Sequence, residues 1–314
     1  MATRLPPADK LPLALRKNVR DNWEEKKPDF EKQLSEALSV PWTIDIDPKA
    51  IYPYAKEGYA KESLGKCIAD YVESAIFKLK YFESISGADG VADLNKLCHA
   101  HVLTMDLDED KKFSYCGCDV KDGKLRILFS ETGLAVNISD ALKEDTLKKA
   151  LNEAPADPSS KETLSFAARA GIRKSYDDKI EDVRKKIAGL LEKPDIKLTP
   201  NFEENFAKLS EASQNKKSRL ISSWETSLGQ ITFQYFQSLA TSLDWKDFGK
   251  DEMLREGFNE AVEKGEITFR LVEQLKYDNN CECVVEDGVL YLQAKPDTFG
   301  VNVNSVATKI VDQL

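Results

Sequence analysis

Leu15, Val19, Trp23, Phe30, Leu34 and Leu38 recur at four- and seven-residue spacing along an otherwise charged stretch. One apolar stripe on a polar rod predicts a helix over about 11–39, closed by Pro41. The stretch occurs twice. LPLALRKNVRDNWEEKKPDFEKQLSEALSVP, Leu11 to Pro41, lies without a gap on LSFAARAGIRKSYDDKIEDVRKKIAGLLEKP, Leu164 to Pro194. Leu11, Ala14, Arg16, Arg20, Lys26, Asp29, Lys32, Leu38 and Pro41 fall on identical residues. Val19, Trp23, Phe30 and Leu34 fall on Ile172, Tyr176, Val183 and Ile187. Pro28 falls on Glu181, so the first helix is expected to continue with a kink or to break in two.

The likeness continues along the chain. Residues 42–47, WTIDID, alternate and predict a short strand, with 195–199 as its counterpart and Pro48 and Pro200 closing the two alike. A short helix over 49–55 precedes a long one over 63–83. There Ile68, Val72, Ile76, Leu79 and Tyr81 pair with Leu220, Trp224, Leu228, Ile231 and Phe233. A Gly-rich break at 86–90 leads to a short helix over 91–98, and the second copy is read as carrying an insert at 239–249. The period then changes to two: Leu103, Met105 and Leu107 alternate with polar residues, as do Ile267, Phe269 and Leu271. YCGCDVKDGKLRILF, Tyr115 to Phe129, lies on NCECVVEDGVLYLQA, Asn280 to Ala294. Asp122-Gly123 and Asp287-Gly288 are type I′ hairpin signals. A closing helix over 139–151, N-capped by Ser139, has 306–314 as its partner.

The expected class is α+β: two tandem homologous modules, each with helices packed on a small, mainly antiparallel sheet. The first module spans 10–152, a small, polar linker spans 153–163, and the second module spans 164–314. Residues 1–9 read as a loose tail. A fused duplicate can keep a self-complementary interface, so a pseudo-dimer is expected.

Net charge is −9 over 314 residues, and neither half is a basic module. That disfavours nucleic-acid and anionic-membrane partners. The first residues contain no uninterrupted apolar segment and no run is long enough to span a bilayer. Six cysteines are too sparse for a disulfide scaffold. The expected location is the cytoplasm, with reduced thiols; the sequon Asn137-Ile138-Ser139 is then chance. Gly-rich phosphate loops, Gly-x-Ser-x-Gly, His-Glu-x-x-His and Cys-x-x-Cys do not occur, so the common catalytic signatures are missing.

One cluster is chemically unusual. Cys98, His99 and His101 hold the only two histidines, and Cys116 and Cys118 follow. Were 99–107 all strand, both imidazoles would share a face, and with the two thiolates they could surround Zn²⁺. Against this, Val91, Leu94, Leu97 and Cys98 have helical spacing, and Cys281 and Cys283 recur without histidines. Core cysteines are the simpler reading. Asp106 to Asp110 resembles the start of a Ca²⁺ loop, but Lys111 and Gly117 stand where Gly and Glu are needed. Arg16 and Arg20, like Arg169 and Arg173, are four apart and serve i,i+4 pairing before they serve an anion. Trp23, Trp42, Tyr52 and Tyr54, with Tyr59, could line a ligand pocket, though core packing is the default.

Three functions are consistent with this. A non-catalytic binding protein, with its modules presenting a surface to a protein partner, requires an exposed apolar patch or groove, expected where the modules meet. A carrier or sensor of a small apolar ligand requires an apolar cavity between helices and sheet. A zinc- or thiol-dependent protein requires convergence of Cys98, His99, His101, Cys116 and Cys118.

Overall fold

The computed structural model describes residues 2–155 and 163–314, so most of the expected linker lies outside the described residues. The chain forms two compact units, 1–160 and 161–314. Each holds a four-stranded sheet with helices packed against it, an α+β arrangement.

In unit 1 the long amphipathic stretch forms α1 (Leu13–Val19) and α2 (Lys27–Leu38), joined by one π-helical turn, Arg20–Glu24. Pro28 sits in the first turn of α2, where a missing N–H is harmless. The proline does not cause the break. Unit 2 makes the same turn at Arg173–Asp177, between α7 (Phe166–Ile172) and α8 (Asp178–Leu191), with Glu181 in the proline's place. The cause lies in the stripe. Each four-residue step over-rotates an ideal helix by about 40°, so Leu15, Val19 and Trp23 drift around the rod. A π turn is wider, advances less per residue and returns the drift. Trp23 and Tyr176, each inside its π turn, are accordingly buried.

Beside this turn two helices come very close. α5 (Leu64–Leu97) crosses α1 at Gly65, where a Cβ would lie 2.5 Å from both the Asn18 carbonyl oxygen and Val19 Cα. Asn18 also caps α5 from outside: its Oδ1 accepts from the Gly65 and Lys66 amides at 2.8 and 3.3 Å. In unit 2, after β5 (Lys197–Thr199) and α9 (Phe202–Gln214), α10 (Trp224–Trp245) makes the same crossing. A Cβ on Gly229 would lie 2.5 Å from Ile172 Cα.

These crossings correct the pairing of the central helices. Tyr71 Oη accepts from the Ala135 amide at 3.1 Å, and Tyr235 Oη from Gly300 at 3.3 Å. Tyr71 thus stands with Tyr235 and Gly65 with Gly229, not Val72 with Trp224. Both helices are apolar on several faces, so periodicity alone accepts more than one register. The expected insert at 239–249 is the end of α10 and the turn after it. The additional residues of unit 2 come before α10, in α9 and the irregular 215–223. The Gly-rich break is present: Gly87 (φ 64°, ψ −173°) interrupts α5 in a region open essentially to glycine alone. At that level unit 2 starts a new helix, α11 (Glu252–Ala261), whose N-cap Asp251 accepts from the Leu254 amide at 3.2 Å.

The strands of unit 1 are β1 (Thr43–Asp45), which precedes α3 (Pro48–Ile51) and α4 (Gly58–Glu62), and, after α5, β2 (Val102–Leu107), β3 (Cys116–Lys121) and β4 (Lys124–Phe129). Their order is β1-β2-β4-β3. Unit 2 repeats it with β6 (Glu266–Leu271), β7 (Cys281–Glu286) and β8 (Val289–Ala294) as β5-β6-β8-β7. In each sheet the first two pairings are parallel and only the hairpin is antiparallel. The mainly antiparallel meander is therefore corrected. A helical crossover separates β1 from β2, which makes that pair parallel. Alternation shows which face a residue takes, not which hairpin strand lies next to β2. The hairpins themselves match expectation, with positive φ at Asp122, Gly123, Asp287 and Gly288.

The ends differ too. Pro48 follows β1 and opens α3, whose N-cap Asp47 accepts from the Lys49 amide, and Pro200 directly follows β5 and precedes Asn201 at the start of α9. Ser139 lies in a 3₁₀ turn, and the closing helix α6 (Glu144–Asn152) begins later, while 303–313 holds only 3₁₀ turns. Residues 2–8 are not loose. The Ala2 amide donates to Glu109 O (2.7 Å), Leu5 to Tyr54 Oη (2.7 Å) and Ala8 to Lys49 O (3.0 Å). Arg4 bridges Asp106 and Glu109.

Candidate functional site

The chain leaves α5 through a tight turn, Cys98 to His101. The His101 amide donates to Cys98 O (2.8 Å), the Ala100 amide to Gly123 O on the hairpin (3.0 Å), and the Thr43 amide to His101 O (3.0 Å). The turn puts the thiol and the imidazoles on opposite sides. Cys98 points into the core with Cys116 and Cys118, all buried. His99 and His101 face a cleft instead, so the five side chains do not converge. Among the described residues no group of three or more His, Cys, Asp or Glu is placed to hold a metal.

The cysteines have structural work. Cys116 Sγ donates to Asn137 O at 3.1 Å, and Cys281 Sγ to Asn302 O at 3.2 Å, both carbonyls belonging to residues in the left-handed region. Burial pushes the Cys98 thiol up to about 12, Cys116 to about 11 and Cys118 higher still. Since the thiolate is the reactive form, the native protein at pH 8 should resist iodoacetamide at these residues and react in urea. Rapid alkylation of the folded chain at Cys98 would contradict that placement.

The aromatic residues separate. Trp23 is core and stacks on Phe30 at 6.2 Å. Tyr54 packs edge-on to Phe129 at 5.3 Å. Tyr52 is half-buried in the 3₁₀ turn after α3. Trp42 alone adjoins the histidine turn: its ring lies 5.7 Å from that of His101. Its Nε1 donates to Asn95 Oδ1 (2.9 Å), and Asn95 Nδ2 donates to Leu38 O (2.8 Å). Asn95 thereby ties α5 to the end of α2 and to the residue before β1. Of the paired arginines, Arg20 is engaged with Asp21 and Glu25. Asp108, inside the acidic run, is buried and accepts from the Phe113 amide at 2.7 Å, an organiser of its own loop.

The cleft has a volume of about 780 Å³ and opens where α5 breaks at Gly87. Ser39 and Val40 form one wall, and Glu83, Ser84, Ala88, Val91, Ala92, Asn95 and Lys96 of α5 form the other; His99 and His101 close the end. Its middle is apolar. His99 rests against the hairpin turn, where a Cβ on Gly123 would lie 2.5 Å from its ring. His101 holds φ 51°, a left-handed conformation that costs a non-glycine residue about 1 kcal/mol. Upstream on α5, Phe77, Tyr81 and Ile85 stand exposed at four-residue spacing, Phe77 at 67%. Phe77 and Tyr81 share a helix face with Ser84, which leads into the cleft.

Sequence reasoning singled out the histidines by their rarity and preferred core cysteines to a metal cluster, and the three thiols are buried. It missed Asn95, Gly87's cleft and the exposed stripe. Residues 77, 81 and 85 were a legible signal, being apolar on a helix that had already filled its buried faces.

The fold and cleft define a two-unit α+β chain with an open apolar cleft in its first unit. No protein-family model, no curated protein and no solved structure matches it. No helix among the described residues is long and apolar enough to cross a membrane.

Proposed function

We propose that this chain is a non-catalytic binding protein made of a duplicated α+β module, and that its first unit takes a ligand with an apolar body into the cleft at Gly87. The cleft carries the reading. Its volume falls in the range of small-molecule sites, roughly 300–1,000 Å³, and it combines apolar walls with a few polar groups gathered at one end. The shared strand order, π turns, glycine crossings and Cys-to-Asn bonds support duplication. The free, buried thiols fit a reducing compartment such as the cytoplasm.

The test is titration with the neutral, environment-sensitive dye phenylnaphthylamine. Saturable fluorescence enhancement is expected, weakened about tenfold or more by Ala92→Trp, which fills the cleft from an exposed position. Unchanged dye affinity in Ala92→Trp would remove the cleft from consideration. A second reading, an apolar segment of a protein partner lying along α5, is favoured by the exposure of Phe77, Tyr81 and Ile85. It predicts that Phe77→Asp, and not Ala92→Trp, abolishes binding.

A further inference from the structure

Both units carry an open cleft at the same level of the fold, and their linings have diverged in charge. In unit 2 the cleft is bordered by Asp247, Lys250, Asp251, Glu252, Met253 and Glu256, four acids to one lysine, and that lysine is paired with Asp247. The local geometry fixes which residues correspond. Asn259 Nδ2 donates to Leu191 O (3.2 Å) as Asn95 does to Leu38 O. The Lys264 amide donates to Gly288 O (3.2 Å) as Ala100 does to Gly123 O, and Gly265 to Val262 O (3.0 Å) as His101 does to Cys98 O. Unit 2 therefore has Glu260 where unit 1 has Lys96, Glu263 where it has His99, and Gly265 where it has His101.

His101 is the informative position. Gly265 adopts φ 62° without strain, whereas His101 holds φ 51° against its own preference. Its ring lies against Trp42 and lines the cleft. The negative C-terminal ends of α2 and α5 account for one cation nearby, Lys96. They do not account for a left-handed histidine, and the Leu38 carbonyl is already taken by Asn95. The polar end of the cleft thus presents an ammonium and two imidazoles. Glu83, the carboxylate in the lining, lies on the other side of the Gly87 break, beyond the apolar middle.

Resting on the binding reading above, we propose that the unit 1 cleft is a site for an amphipathic carboxylate: the acid group on Lys96, His99 and His101, and the apolar body along Val40, Ala88 and Val91.

Decanoate, decanol and decylamine differ only in the head group and test this by displacement of the dye from the full chain. Decanoate is expected to bind about tenfold or more tightly than decylamine, with decanol between them. The variant Lys96→Glu/His99→Glu/His101→Gly carries at each place the residue that unit 2 accepts on the same backbone, and the glycine relieves strain. It should lose decanoate affinity about tenfold, gain for decylamine and bind decanol as before. Equal affinity for all three heads would overturn the carboxylate assignment while the cleft stands. Loss of decanol together with decanoate would overturn it as well, since the three side chains would then act by packing. Dye binding that ignores Ala92→Trp would end both readings.

Discussion

Gly65→Ala is expected to destabilise unit 1 by about 3 kcal/mol or more, and Gly229→Ala to do the same in unit 2. In each case the added methyl meets backbone, not a side chain that can turn aside: Asn18 O and Val19 Cα at 2.5 Å, or Ile172 Cα at 2.5 Å and Gly171 O at 2.7 Å. Relief requires the two helices to separate. In unit 1 separation also pulls Asn18 Oδ1 from the Gly65 and Lys66 amides, so the cap is lost with the packing. The effect should be confined to the altered unit, which native-state hydrogen exchange read by mass spectrometry can resolve. Gly189→Ala is the control. It lies within α8 with open space where its Cβ would go, and helix propensity alone should stabilise by up to about 1 kcal/mol. A Gly65→Ala protein within about 0.5 kcal/mol of the parent would show that the helices can move apart at no cost.

That glycine shows where legibility ended. The strongly periodic parts were readable: the first helix and its copy, the Asp-Gly hairpins and the Gly-rich break each depend on local chemistry. The π turn was half readable, because Pro28 announced a discontinuity, but only unit 2, with Glu181, shows that the stripe suffices. Strand neighbours were not readable. β2 and the hairpin have the same alternation whichever hairpin strand pairs with β2. Nor was the register of α5 against α10 readable, since helices buried on several faces match at many offsets. The fixed points, Gly65 with Gly229 and Tyr71 with Tyr235, are set by long-range contacts. The candidate cleft shares this origin. His99 and His101 stood out by rarity, but their side depended on a turn whose hydrogen bonds run to Gly123 and Thr43, both distant in sequence.

Glu282→Ala is expected to cost unit 2 about 3–4 kcal/mol, because one buried carboxylate organises the whole approach to β7. Its oxygens accept from the Lys276 amide at 2.8 Å, Tyr277 at 2.6 Å, Asp278 at 3.1 Å and Gln293 Nε2 at 2.6 Å. Gln293 is its cross-strand partner on β8, and in turn accepts from Arg270, which lies 3.7 Å over the Tyr291 ring. Unit 1 solves the same problem with no carboxylate at the matching strand position. Gly117 faces Leu128 across the strands, and the Phe113 ring covers the glycine so closely that a Cβ there would collide with it. The loop before β3 is instead held by Asp108 through the Phe113 amide. The two solutions are not interchangeable by single steps. Glu282→Gly leaves three backbone donors with no acceptor and supplies no ring. Glu282→Leu/Gln293→Leu restores an apolar pair but still abandons the loop amides, so it should recover little of the loss. Glu282→Gln keeps one acceptor oxygen but turns an NH₂ toward donors, and should fall between the parent and Glu282→Ala. The amides of Lys276, Tyr277 and Asp278 are the reporters. Their exchange should accelerate in Glu282→Ala under conditions where the helices of unit 2 remain protected. Unchanged protection at those three amides, with a loss below about 1 kcal/mol, would mean that the loop is held by something other than this carboxylate.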